Sequence, residues 1–326
     1  MKILYSFVTI LLFYPTIFTK NLIITFNYSN PEFIKVQHKT FKHFIQDDYE
    51  FVVFSDAPTE EGHQKIAAKC KKYGIRCIRI PQHIHEEPYY LPLNLPQIYG
   101  NHTIPSNVRH VHCVQYSLDT LGFDHDGIVV LIDSDMFLVR PLNISEYMKD
   151  SDITSFMKGS INEQGGTIGY LCPALTFLNM QTLPDKRSLN FNCGLVNGCS
   201  GDSGGFTHYY LQDHPHLRLR CFGSLYSGQM FCSDRFYPNS HQTAQAPVEQ
   251  KKAYWESQGF NKKEIKFLLK NPDTIQYFME GKDAWFLHYR GGTNYENLPS
   301  AYHAQKKSLV AQYLQDIMGL RSIFFE

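Results

Sequence analysis

What this chain lacks narrows its chemistry before any motif is read. It has no excess of either charge, with 31 Lys and Arg against 31 Asp and Glu. Without a basic field to gather phosphate backbones, no nucleic-acid partner is expected. No Cys-x-x-Cys pair occurs among Cys70, Cys77, Cys113, Cys172, Cys193, Cys199, Cys221 and Cys232, which removes the zinc-ribbon class. The even count suits disulfides in an oxidising compartment, yet 326 residues at 43% hydrophobic can bury a core without staples. Internal repeats and low-complexity segments are absent. The 15 histidines yield no zinc ligand set. His110 and His112 fall on a predicted helix, where residues two apart point about 200° apart. His83 and His85 fall in a loop with no third partner nearby.

The first twenty residues have a character of their own. From Ile3 to Phe18 the run is apolar apart from Ser6, Thr9 and Thr16, with Pro15 interrupting it. That length is short for a membrane helix and suits the hydrophobic region of a signal peptide; an uncleaved anchor or a buried N-terminal segment is the alternative. Export or membrane association through the N-terminus, in the secretory pathway or cell envelope, is the expectation. Sequons beginning at Asn27, Asn101 and Asn143 matter only in a eukaryotic secretory route.

From Asn21 onward strands and helices alternate. Leu22 to Phe26 predicts a buried strand, and Pro31 opens a helix with Phe33, Val36, Phe41 and Phe44 at helical spacing. Phe51 to Phe54 predicts a second strand, Glu60 to Tyr73 a helix stopped by Gly74, and Ile75 to Ile80 a third strand stopped by Pro81. Three such repeats argue for an α/β fold with a doubly wound, mainly parallel sheet flanked by helices. A Pro-rich excursion covers Pro81 to Pro105. Ser106 then caps a helix with Val108, Val111, Gln115 and Leu118 on one face. Ile128 to Ile132 is apolar on both faces and therefore a central strand. Beyond it the pattern loosens: a strand over Ala174 to Met180, a short element over Phe191 to Val196, a Gly-rich turn from Gly198 to Gly205, and a helix from near Ser203. Asn261 and Glu264 form a capping box, Trp285 to Leu287 a short strand, and Ala301 to Ile317 a final helix.

The central strand runs straight into Asp133-Ser134-Asp135. Ligands in open α/β sheets bind beyond the carboxyl ends of the strands. Two carboxylates there, set between apolar runs, would repel each other unless a cation sits between them. Hard divalent cations accept such oxygens and keep positions open for phosphate. A solvated turn or capping pair is the plainer alternative. On the same sheet edge, Asn27 and Asp56 end the first two strands, where they contact a base or ribose or simply make turns. Arg109 precedes the metal strand, as a partner for a phosphate or Asp133 or as an ordinary surface arginine.

Here a resemblance enters. Val129 to Pro141 looks like the DxD strand of GT-A glycosyltransferases, which binds manganese and the nucleotide diphosphate. Phe191-Asn192-Cys193-Gly194-Leu195-Val196 resembles the FN-[AST]-G-[VIL] segment of family 8-type retaining transferases, beside the donor sugar. Leu287-His288-Tyr289-Arg290-Gly291-Gly292 is similar to their late HxxG element. The three occur in the family's order, over roughly residues 21 to 295. Cys193 departs from the pattern, and the Lys-Pro-Trp ending is missing, so a divergent branch is implied and no donor sugar is carried over.

The resemblance implies a single GT-A-like domain over 21–326, with a nucleotide-binding half (21–140) and an acceptor or sugar half (141–326), behind a signal peptide or anchor in 1–20. It implies Asp133, Asp135 and His288 as ligands to Mn2+ or Mg2+. Asn27, Asp56, Arg109, Ser134, Asn192, Gly194, Gly291 and Gly292 would contact the nucleoside diphospho-sugar. His288 alternatively ties down a loop, and Gly291 and Gly292 alternatively make a turn. Asp202 is either a helix N-cap or a carboxylate facing the sugar ring, with Gln229 a further polar contact; Asp213 and Asp234 are weaker candidates. The acceptor is a glycan, protein or lipid hydroxyl. A nucleotidyltransferase would need a Gly-rich, basic loop after strand one, which Phe26 to Asn30 lacks. An exported, non-catalytic binding protein on the same fold is the rival of another class.

Overall fold

A computed structural model describes residues 20–86, 106–226, 248–257, 259–270, 276–280, 283–289 and 300–320. The N-terminal apolar run, Gln229, Asp234, Gly291 and Gly292 lie outside the described residues. Among the described residues no helix is long and apolar enough to cross a membrane.

The first half alternates strongly. β1 (Asn21–Asn27), α1 (Pro31–Phe44), β2 (Tyr49–Ser55), α2 (Glu60–Tyr73), β3 (Arg76–Arg79), α3 (Ser106–Ser117) and β4 (Ile128–Asp133) follow in order. Punctuation residues act as their chemistry dictates. Pro31 sits in the first turn of α1, the Thr59 hydroxyl accepts from the Gly62 N–H at 3.1 Å to cap α2, and Gly74 ends it in the left-handed region. β3, β2, β1 and β4 are all parallel neighbours. The chain winds outward from β1 to β3 and returns on the other side of β1 as β4. That reversal creates a crevice at the carboxyl ends of β1 and β4.

Alternation along these strands explains why helices cover both faces. Leu22, Ile24, Phe26, Val129 and Leu131 enter one hydrophobic layer with Val114 of α3 and Leu118, the residue that follows it. Ile23, Val130 and Ile132 enter the other with Phe33, Val36 and Phe41 of α1. Each strand residue has helix cover whichever way it points, which makes the run apolar throughout.

The second half corrects the sequence reading. β5 (Met136–Leu138) and α4 (Ile144–Met148) lead to a long hairpin, β6 (Ile153–Ile161) and β7 (Thr167–Asn179). β6 was not anticipated, and β7 begins well before Ala174, because Gly169 and Pro173 interrupt its pattern. β7 runs antiparallel between β4 and β6, and β10 (Leu219–Tyr226) adds parallel to β6. β8 (Gly194–Val196), inside the short element expected over Phe191 to Val196, pairs as a small hairpin with β9 (Cys199–Gly201), which falls in the expected Gly-rich turn. The helix expected near Ser203 starts later, as α5 (Thr207–Asp213). Next come α6 (Val248–Ser257), α7 (Lys262–Lys270), β11 (Gln276–Glu280), β12 (Asp283–His288) and α8 (Ser300–Gln312), with a π-turn over Tyr313–Ile317. The sheet order is β3-β2-β1-β4-β7-β6-β10-β11-β12-β5. The seven strands from β3 to β10 form the doubly wound mixed sheet, mainly parallel and flanked by helices, that the sequence led us to expect, and β11, β12 and β5 extend it with antiparallel pairs.

Glu264 ties the last helices to this sheet. Its Oε2 accepts from the Asn261 N–H at 2.8 Å while Asn261 Oδ1 accepts from the Glu264 N–H at 3.1 Å, the predicted capping box. Oε1 takes the Arg140 guanidinium and the Tyr313 hydroxyl, the latter at 2.9 Å, and the residue is fully buried. Glu264→Ala strands a guanidinium and two other donors, so unfolding in urea should show a loss of ~3–5 kcal/mol.

Candidate metal centre

Asp133 is the last residue of β4, and the chain turns through Ser134 and Asp135 into β5. Gln37 of α1 holds that bend, its side-chain amide donating to the Asp133 carbonyl at 2.8 Å and the Met136 carbonyl at 3.2 Å. β5 then pairs with β12, with Met136 opposite His288, and the Tyr289 N–H donates to the Asp135 carbonyl at 2.8 Å. This pairing closes the long sequence gap and sets His288 Nε2 at 3.2 Å from Asp135 Oδ1. One ligand atom each from Asp133, Asp135 and His288 lies within 4.8 Å of the others. Opposite ligands on an octahedral cation with bonds of about 2.1 Å stand about 4.2 Å apart, so a small inward movement closes this set on an ion. Asp135 and His288 are buried, whereas Asp133 remains 24% exposed at its side chain.

Charge surrounds the pair. Burial pushes the Asp133 carboxyl up, but His110, then His288 and Lys158, hold it below the ordinary carboxylate range. His110, on α3, lies with Nε2 3.1 Å from Asp133 Oδ1. The Ser134 hydroxyl and the Asn192 amide oxygen are buried with no hydrogen-bond partner among the described residues. Orphaned polar atoms of this kind call for a ligand or water. Two carboxylates with an imidazole form a donor set that fits a divalent cation.

A second charged group neighbours the first. Lys158 of β6 donates to Asp202 Oδ2 at 2.8 Å, and Asn107 donates to Oδ1 at 3.0 Å. Burial would raise the Asp202 carboxyl, but Lys158 and Asn107 hold it down to about 2. Asp202 is therefore an ionised carboxylate beyond the end of β9, and the helix cap considered for it is not seen, since Phe206 precedes α5. Gly194 opens β8 directly after Asn192.

The other sequence candidates have intramolecular work. Both polar atoms of the Asn27 amide bond the backbone of Asn30, at 2.9 and 3.1 Å, closing the turn after β1. Arg109 pairs with Asp56 through two bonds, at 2.7 and 2.9 Å, and not with Asp133. His85 Nε2 also meets Asp56 Oδ1 at 2.9 Å, and the His85 and His112 rings stack at 5.5 Å. Sequence reasoning left His85 without partners; the fold gives it Asp56, His112 and Cys113. With a guanidinium already on both oxygens of Asp56, this cluster holds positive charge without a metal. His110 and His112 do diverge as helix geometry requires, one to each cluster.

His110, Lys158, Asn107 and Gln37 were not picked out from the sequence as site residues. Lys158, a single cation in the strand Ile153–Ile161, was the one available signal, and it was lost with that strand.

No family model matches the chain, and no curated protein matches it. Solved structures do. Core-mannan synthase A from Aspergillus fumigatus, in its Mn/GDP form, is 9% identical with a TM-score of 0.37, covering 52% of this chain and 62% of that one. The mannosyltransferase Ktr4p from S. cerevisiae is 10% identical with a TM-score of 0.35, covering 51% and 57%. Glucosyl-3-phosphoglycerate synthase from Mycobacterium tuberculosis, in complex with Mn2+, UDP-Glc and phosphoglyceric acid, is 12% identical with a TM-score of 0.35, covering 68% and 73%. The chain thus spans less than two thirds of the first two. Superpositions this loose carry no argument about activity, which rests on the site itself.

Proposed function

We propose that this chain is a GT-A-like, metal-dependent glycosyltransferase that moves a sugar from a nucleoside diphospho-sugar to an acceptor hydroxyl. The observation that carries this reading is the convergence of Asp133, Asp135 and His288 at the carboxyl end of β4, beside the reversal of strand order. The order of the DxD, FNxG and His-Gly motifs supports it. Bound by these three side chains, Mn2+ would neutralise the charge that grows on a departing diphosphate. Ser134 and Asn192 offer buried polar atoms to the donor. The ionised Asp202 is the carboxylate available to positive charge on the anomeric carbon, with Lys158 setting its position. Gly194, Gly291, Gly292 and Gln229 join the donor site on the resemblance alone, as do retention of configuration and the single domain over 21–326. The acceptor would be a glycan, protein or lipid, reached in the secretory pathway or cell envelope if the N-terminal apolar run directs export.

Thermal unfolding with uridine and guanosine diphosphates and their sugars, with and without Mn2+, tests the reading. One nucleotide series should stabilise the protein only when Mn2+ is present, by ~2.7 kcal/mol at a hundredfold excess over Kd. Nucleotide binding indifferent to Mn2+, or no binding in either series, would overturn it.

A further inference from the structure

A cation held by Asp133, Asp135 and His288 does not by itself balance a donor diphosphate. The two carboxylates already cancel the charge of a divalent ion, and a nucleoside diphospho-sugar brings a negative charge on each phosphate. A further positive group is needed nearby. Among the described residues around the centre, Arg109 is committed to Asp56 and His110 to Asp133. Lys158 has donors to spare. An ammonium carries three N–H groups; one goes to Asp202 Oδ2 at 2.8 Å, and Nζ meets no other acceptor among the described residues. The side chain is 32% exposed, so its head group stays accessible to a ligand.

We propose that Lys158 binds a phosphate oxygen of the donor directly, besides its pairing with Asp202. This rests on the reading of Asp133, Asp135 and His288 as the cation site of a diphospho-sugar transferase. α3 places the two groups side by side. Asn107 and His110 lie three residues apart, on one face of that helix, and reach Asp202 Oδ1 at 3.0 Å and Asp133 Oδ1 at 3.1 Å. The Lys158 charge is close enough to Asp133 to help hold that carboxyl below its ordinary range. Asp202 does not depend on the ammonium alone, because Asn107 holds one oxygen and the Asp202 N–H donates to the Tyr170 hydroxyl at 3.2 Å. Tyr170 stands opposite Lys158 across the β6–β7 hairpin, so the same pair of strands roots both contacts. A lysine serves a phosphate as a compact point charge, which asks no planar geometry of the ligand.

Diphosphate affinity separates this contact from a purely supporting role. Titration calorimetry on the full chain with Mn2+, using whichever of uridine and guanosine diphosphate the wild-type protein binds, gives the reference. Lys158→Met should weaken that binding about ten- to a hundredfold, the loss expected for one hydrogen bond between charged groups. The single variant also uncovers Asp202, whose carboxylate would repel phosphate. Lys158→Met combined with Asp202→Asn is therefore the deciding variant, since both charges are gone and no repulsion remains. It should stay about tenfold or more weaker than wild type, whereas Asp202→Asn alone should bind the diphosphate at least as tightly as wild type. Return of the double variant to wild-type affinity would overturn the proposal and leave Lys158 as a counter-ion to Asp202. Should Lys158→Met fail to fold, the double variant still decides, because it strands no charge. A wild-type protein that binds neither diphosphate with Mn2+ would remove the donor site itself, a result distinct from diphosphate bound equally by wild type and double variant.

Discussion

Asp135→Asn should abolish Mn2+-dependent donor binding and lower kcat/KM by about three orders of magnitude, while leaving the folded protein as stable as before or slightly more so. The functional loss follows from geometry. Asp135 lies against His288 on the buried side of the centre, and an amide contributes no charge to a cation that must offset a diphosphate. Removing one fixed electrostatic element from such a site typically lowers the rate 10²–10³-fold, and losing the cation removes more than one. The stability outcome discriminates. If Asp135 were structural, replacing it would break a wanted contact and lower the melting temperature. As a cation site, the empty pair carries like charges close together, and an isosteric amide relieves that repulsion. Asp133→Asn should lose donor binding in the same way but show no stability gain, because His110, His288 and Lys158 already favour its ionised carboxylate. Calorimetric Mn2+ titration, a transfer assay and a thermal melt on each variant supply the three readings. Full donor binding in both variants would instead favour a non-catalytic binding protein.

The first half of the fold was legible because each element carries its own punctuation. Pro31, Thr59 and Gly74 act locally, and β1, β2 and β4 are covered on both faces, so their hydropathy shows no ambiguity. The β6–β7 hairpin was illegible for the opposite reason. Its polar residues are satisfied inside the protein: Ser155 and Thr176 bond each other at 2.7 Å, and Lys158 reaches Asp202. A strand that buries hydroxyls and a lysine by pairing them across the sheet does not alternate like a half-exposed strand. The metal centre divides in the same way. Asp133 and Asp135 were found from the strand that precedes them, and His288 from an ordered resemblance. The contact of His110 with Asp133 could not be found, because it depends on which of two carboxylates Arg109 takes. That choice is set by the packing of α3 over the ends of β1 and β2, a tertiary fact with no sequence period.

Gly204→Ala should be among the most destabilising single substitutions in the chain, by ~4 kcal/mol or more, although it adds one methyl group. Gly204 has φ +92°, and a Cβ built there would lie 1.8 Å from the Leu171 carbonyl oxygen. No side chain can swing aside, since the obstacle is the backbone of β7. The two segments would have to separate by more than 1 Å. That movement breaks the bond from the Gly204 N–H to the Phe191 carbonyl, 2.8 Å long, and disturbs Thr207, whose hydroxyl accepts from the Leu171 N–H at 2.8 Å. Two buried hydrogen bonds at ~1 kcal/mol each, left-handed strain of ~1–2 kcal/mol and an overpacking cost of ~1–3 kcal/mol add in the same direction. Gly74→Ala is the control: it too has positive φ, at +67°, but no atom lies within 4 Å of its added Cβ, so only ~1 kcal/mol of backbone strain applies. Chemical denaturation of the two variants side by side should separate them by ~3 kcal/mol, and equal losses would show that the close approach of this turn to β7 is wrong. The same turn carries Asn192 and Asp202, since the Phe206 N–H donates to the Asn192 carbonyl at 3.0 Å. Gly204→Ala should therefore also weaken donor binding at temperatures where the protein is still folded, whereas Gly74→Ala, on the far end of α2, should leave binding unchanged.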